Sequence, residues 1–171
     1  MTKIFVISDT HFNHANILKF TDEGGYPVRP GFKNVSDMNE FMIRSWNDTV
    51  GPEDHVYHLG DVYFGPDDAA DDILSRLNGK KRLIVGNHDE IKSRVLQKHF
   101  QKMMLWRLFK EHDILLTHVP IHQSEIRKAK YNVHGHIHQN DAPSSSHINV
   151  SVEKTGYRPI LLDDIVGKYG K

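Results

Sequence analysis

One pattern, met five times, constrains this sequence more than any other: a short apolar run stops abruptly at side chains able to ligate a cation. Arg82-Leu-Ile-Val85 runs into Gly86-Asn87-His88-Asp89. Ile4-Phe-Val-Ile7 runs into Ser8-Asp9-Thr10-His11, and Val56-Tyr-His-Leu59 into Gly60-Asp61. Ile114-Leu-Leu116 is followed by Thr117-His118, and Tyr131-Asn-Val133 by His134-Gly135-His136-Ile137-His138. Such runs suit buried strands. Asn and Asp end strands routinely because they turn the chain, but a histidine between them adds a group that titrates near neutrality. In open α/β sheets, ligands sit outside the carboxyl ends of the strands. Five ends brought to one rim would make a single polar pocket over an apolar core, a regularity that the core itself does not require.

The 171 residues favour one domain, 1–171, around one core. The absence of cysteine excludes a disulfide framework and thiolate ligands and fits a cytoplasmic protein. The apolar stretch Ile4 to Ile7 is too short for a signal peptide, and no run approaches a membrane span. A formal net charge of zero gives no strong nucleic-acid footprint. Histidine is the unusual count, 13 in a small chain, and these residues are dispersed rather than gathered as a tag.

Periodicity predicts an α/β chain. Strands are expected at Lys3–Ser8, His55–Leu59, Arg82–Val85, Met103–Phe109, Asp113–Thr117, the run into His134, Ile148–Val152 and Pro159–Leu162. A turn at Glu111-His112 joins two of them. Helices are expected over Phe12–Phe20 (capped by Asn13, with Ile17, Leu18 and Phe20 inward) and from a Ser36 cap to about Val50. Further helices cover Asp67–Leu77, stopped by Gly79, then about Glu90 to His99, and Asp163–Tyr169. Met38, Met42 and Trp46 are core material. Asp22–Asn34, rich in glycine and proline, is a loop long enough to be a substrate-side flap. Ser124–Lys130 has no clear assignment, and Ala142–Ser146 is a loop.

A mixture of carboxylate, imidazole and carboxamide suits divalent Mn, Fe, Co, Ni or Zn, whereas calcium prefers an all-oxygen set. Two close cations need a shared anionic bridge, and such pairs serve phosphoryl transfer.

In their order, Asp9-x-His11, Gly60-Asp61, Gly86-Asn87-His88-Asp89, His118 and Gly135-His136-x-His138 resemble the five motifs of the calcineurin-like metallophosphoesterases. The resemblance runs from Ile7 to His138. Ser8-Asp-Thr-His-Phe-Asn-His and Tyr57-His-Leu-Gly-Asp-Val further resemble the small phage and bacterial members. It implies a four-layer α/β/β/α sandwich with two packed mixed β-sheets and helices on both outer sides. It implies that Asp9, His11 and His138 hold one divalent ion and Asn87, His118 and His136 a second. Asp61 would bridge them, together with a water or hydroxide that attacks phosphorus. His88 would donate to a phosphate oxygen or protonate the leaving group, with Asp89 orienting it by a hydrogen bond.

The remaining histidines divide. His99, His112 and His147 read as surface or core residues. His55 and His58 read as structural and are expected on one face of their strand. His14 and His122 are candidate substrate contacts, and His134 alternates with two ligand candidates. Asn13 and Asn47 suit capping or ligand support equally. Arg127, Lys128 and Lys130 form a basic cluster, either a solvated face or a phosphate contact. The expected function is a binuclear phosphoesterase, a phosphodiesterase before a monoesterase, acting on a small phosphoester such as a nucleotide. A nuclease and a non-catalytic scaffold on the same fold are the alternatives.

Overall fold

The computed structural model describes residues 2–126 and 128–169. Among these residues nine strands form two mixed sheets. The first contains β1 (Ile4–Ile7), β2 (His55–His58), β3 (Lys80–Ile84), β4 (Met103–Met104) and β9 (Ile160–Leu161), in the order β4-β3-β2-β1-β9. Only β9 runs antiparallel to its neighbour. The second contains β5 (Trp106–Phe109), β6 (Ile114–Thr117), β7 (Tyr131–His134) and β8 (His147–Asn149) in that order, with β5 antiparallel.

Side-chain alternation along β1 and β2 divides the core. Phe5, Ile7 and Val56 pack with Met42, Trp46, Leu74 and Leu96. These come from helices α1 (Val35–Thr49), α2 (Asp67–Ser75) and α3 (Arg94–His99). Val6 and Tyr57 face the other way and join Ile114, Leu116, Val133 and Ile148 of the second sheet. Each fully buried aliphatic side chain contributes roughly 1.5–3 kcal/mol. Three helices therefore cover one sheet, and the two sheets bury a common apolar layer. The outer face of the second sheet carries buried Asn132, His134 and His147, and the segment after β6 crosses it. There Ile121 N–H donates to Asn132 Oδ1 at 3.0 Å, and His147 Nε2 donates to the Ile121 carbonyl at 2.7 Å. Within Ser124–Lys130, where Arg127 lies outside the described residues, the regular structure is the end of a 3-10 turn, Gln123–Glu125.

Several expectations are corrected. The stretch Met103–Phe109 is two strands in different sheets, because Leu105 carries the chain across. Phe12–Phe20 holds a 3-10 helix, Ala15–Lys19, whose N-cap is His14, and Phe20 is exposed. Asn34, not Ser36, caps α1: its side chain accepts from Asp37 N–H at 2.9 Å. Val152 leaves the strand to open α4 (Val152–Thr155). The closing helix is α5 (Leu162–Tyr169). His55 and His58 are three positions apart and point to opposite faces. His55 meets Arg82, while His58 is buried beside Trp46 and Phe100. Among the described residues no helix is long and apolar enough to cross a membrane.

Candidate metal centre

The parallel directions of β1, β2 and β3, and of β6 and β7, point five carboxyl ends toward one rim. The sheets are tied there: Ser8 N–H donates to Val150 O and Val152 N–H to Ser8 O, both at 3.1 Å. The turns that follow are sharp. Asp9, His11, Asp61, His136 and His138 all have positive φ, between 48° and 70°. Non-glycine residues avoid this region, and each costs on the order of 1 kcal/mol there. That backbone persists only because its surroundings dictate it. Two glycines allow the loops to nest: a Cβ on Gly86 would strike Asp61, and one on Gly135 would strike Ser8 and Asp9.

Asp9, His11 and His138 form one group of ligand atoms, and Asp61, His118 and His136 another, each within 4.8 Å. Asp61 joins them, its Oδ2 lying 3.6 Å from His11 Nε2 and 3.5 Å from His118 Nε2. Asn87 Oδ1 lies 2.8 Å from His118 Nε2 and 2.9 Å from His136 Nδ1. Asp9, His11, Asp61 and His118 are buried and form the floor. Asn87, His88 and His136 are exposed at the mouth.

The outer hydrogen bonds define which way the rings present their lone pairs. His118 Nδ1 donates to the Leu59 carbonyl at 2.6 Å, leaving Nε2 as an acceptor against the Asn87 and Asp61 oxygens. His138 Nδ1 donates to Glu153 Oε1 at 3.0 Å. His11 Nδ1 shares a hydrogen bond with His14 Nδ1 at 3.2 Å. His11 Nε2 and Asp9 Oδ1 are buried without a hydrogen-bond partner. Acceptors gathered on acceptors are unfavourable in a low dielectric unless a cation lies among them. Nitrogen and oxygen atoms bound at about 2.1 Å to one ion stand roughly 3–4 Å apart, so the spacing fits divalent metals.

Charge follows the same geometry. Burial would raise the Asp9 carboxyl, but the nearby His11 imidazole, with His138 beside it, brings it well below the usual range. Burial lowers His11, as it does His136. Burial would lower His138 too, but Glu153 outweighs it and raises this imidazole. His14, pushed down to about 4 by burial and by neighbouring His11, is a neutral ring stacked on Phe64.

Some expected roles change. Asp89 does not reach His88. Its Oδ2 accepts from Asp61 N–H at 2.9 Å and Gly86 N–H at 2.8 Å, and its Oδ1 from Val62 N–H at 2.9 Å. The turn from Gly86 aims this carboxylate inward, where it clamps two ligand-bearing loops together. His88 packs its ring near Phe64 and His11 instead. His14 contacts the site as the partner of His11. His122 is used locally, its Nδ1 accepting from Ser124 N–H, and the structure does not bring it to the ligand cluster. His134 is buried against His147, with Nδ1 on the Gly135 carbonyl. Asn13 pairs with Asn39, and Asn47 bolts α1 to Arg76 and Asn78.

Two residues escaped the sequence reading. Arg29, inside the expected flap, is buried. Its guanidinium donates to the carbonyls of Asp9 and Thr10 at 2.5 and 2.8 Å, and to Glu153 Oε1 at 2.8 Å. Glu153 thereby joins Arg29 to His138. Nothing local marks either residue, because the partners are 124 positions apart.

No protein-family model matches the chain. The solved structure of a protein of unknown function, AQ665 from Aquifex aeolicus, superimposes with a TM-score of 0.78 and 28% identity, over 98% of this chain and 100% of that one. The Gene 66 protein of Mycobacterium phage L5 is 26% identical over 81% of this chain and 78% of its own length. A match to the Uncharacterized protein MJ1445 of Methanocaldococcus jannaschii is 39% identical over 97% of this chain and 90% of the relative, so the chain belongs to the family of that archaeal protein.

Proposed function

We propose that this chain is a metal-dependent phosphoester hydrolase of the calcineurin-like type, favouring diesters. The observation that carries the reading is the convergence of lone pairs around Asp61 Oδ2: His11 Nε2 and His118 Nε2 lie against it, Asn87 Oδ1 lies against His118 Nε2, and buried His11 Nε2 and Asp9 Oδ1 have no hydrogen-bond partner. Asp9, His11 and His138 would hold one divalent ion, and Asn87, His118 and His136 a second, with Asp61 shared. We take Mn as the first ion, with Fe, Zn, Ni or Co as alternatives that the same mixed donor set accepts. Bound there, such ions supply positive charge to a phosphoryl group and lower the pKa of water toward neutrality.

The chain itself orients and protects. Leu59 O, Glu153 and His14 hold the outer nitrogens of His118, His138 and His11, so that each ring turns Nε2 inward. His88, exposed at the mouth, is placed to donate to a phosphoryl oxygen or to the departing oxygen. General acid help of that kind is worth roughly 10²–10⁴ in rate. The reading brings with it the four-layer sandwich, a cytoplasmic location and a small phosphoester substrate, nucleotides included.

Equilibrium dialysis of the metal-free chain against Mn should approach two equivalents. Asp61→Asn should bind less metal and lose hydrolysis of bis-p-nitrophenyl phosphate while unfolding cooperatively. A chain that binds no metal, or an Asp61→Asn variant that hydrolyses normally, would sink the reading.

A further inference from the structure

We propose that the apolar cleft beside Asn87 and His118 seats an aryl or nucleobase substituent of the phosphoester, with Trp106 as its platform; this rests on the hydrolase reading above. The cleft holds about 630 Å³ and runs from Asn87 and His118 out to Trp106 and Val119. That size and its largely apolar lining are those of a small-molecule site.

Its position follows from strand register. Trp106 opens β5 opposite Thr117, the residue that precedes His118. The outer face of β5 and β6 forms the floor, through Leu108 and Leu115, and the segment after His118 forms the far wall. Leu105, Trp106 and Val119 remain 68%, 61% and 41% exposed. Contiguous exposed apolar surface of this kind marks a binding site. Thr117 is already used: its hydroxyl donates to Val119 O at 2.6 Å and accepts from Asn132 Nδ2 at 2.8 Å. The floor therefore recognises by shape and stacking, which selects a flat group. The inner end offers the opposite chemistry, the cation-seeking atoms of Asn87 and His118. A phosphoester with one flat substituent fits both ends at once, its phosphate at the rim and its ring along the cleft.

Two diesters with the same leaving group test this on the metal-loaded chain: phenyl p-nitrophenyl phosphate and methyl p-nitrophenyl phosphate. Aromatic stacking predicts a preference of about ten- to hundred-fold in kcat/KM for the phenyl diester. Trp106→Ala and Val119→Asp should both collapse that ratio. Binding is read separately by fluorescence. Of the two tryptophans, Trp46 is buried and Trp106 exposed, so diphenyl phosphate should perturb the Trp106 emission, and dimethyl phosphate should not. Trp106→Phe should abolish the signal.

A phenyl-to-methyl ratio near one, unchanged by Trp106→Ala, overturns the cleft assignment and leaves the hydrolase reading standing. Hydrolysis of neither diester, with the emission change intact, fails the hydrolase reading and supports the cleft as an aryl site. Dimerisation that Val119→Asp abolishes, with no emission change in the wild type, gives the cleft to a second copy of the chain and also overturns the proposal.

Discussion

Arg29 holds its guanidinium in the interior at 2% exposure, where two backbone carbonyls and Glu153 share its donors. Arg29→Ala would strand a buried carboxylate and two carbonyls, and breaking such a pair from one side costs about 3–5 kcal/mol. Chemical denaturation should show that loss; a change below about 1 kcal/mol would mean that the loop is held otherwise. A second contrast separates neighbours. Asp89 accepts three backbone N–H groups, whereas the His88 ring is exposed. Asp89→Asn removes acceptor capacity and charge and should cost roughly 1–3 kcal/mol. His88→Asn should leave the unfolding midpoint nearly unchanged and reduce turnover. Equal effects of the two variants on stability would return Asp89 to the role of orienting His88. The sequence displays Asp89 as a candidate partner of His88 because they are adjacent, but adjacency says nothing about where a turn aims a carboxylate.

At the scale of elements, local signals served where one residue's chemistry decides and failed where two were equivalent. Asn34 and Ser36 both suit a helix N-cap. The bond from Asp37 N–H selects Asn34, whose φ of −162° and ψ of 177° are extended, as an N-cap requires. Asn34→Ala should therefore cost about 1 kcal/mol, with Ser36→Ala near neutral, as thermal or urea unfolding will show. The reverse ranking would restore Ser36. The apolar stretch from Met103 to Phe109 looks continuous in sequence, yet Met103 and Met104 pair with β3 while Trp106 to Phe109 pair with β6. Periodicity reports that a residue wants a sheet; it carries no information about which sheet.

For the whole molecule, acid sensitivity should come partly from histidines outside the ligand set. Burial holds His58 down to about 3 against an ordinary 6.5, and His134 down to about 4. Below about 6.5 the unfolded chain takes up protons that the folded chain refuses. Stability is thus complete above that pH and falls on acidification toward the folded values, by on the order of 1 kcal/mol per pH unit for each such group. Urea midpoints at about pH 7 and about pH 5, with a chelator present, should differ in that direction. Replacing His58 by Gln, which can serve Thr10 and the Gly60 amide, should flatten the slope. A midpoint indifferent to pH would contradict the neutral buried state.

The sequence by itself determined the α/β class, most strands and helices, and the polar residues that gather at one rim. Those follow from short-range chemistry: apolar period, chain-turning side chains and the ligating power of Asp, Asn and His. Tertiary structure decided what each of these residues faces. Positive φ at Asp9, His11, Asp61, His136 and His138, the Arg29–Glu153–His138 chain, the inward clamp of Asp89 and the cleft at Trp106 all depend on segments distant in the chain. A strained turn or a buried charge is stable only through partners that folding brings to it, so no window of sequence around it can announce it.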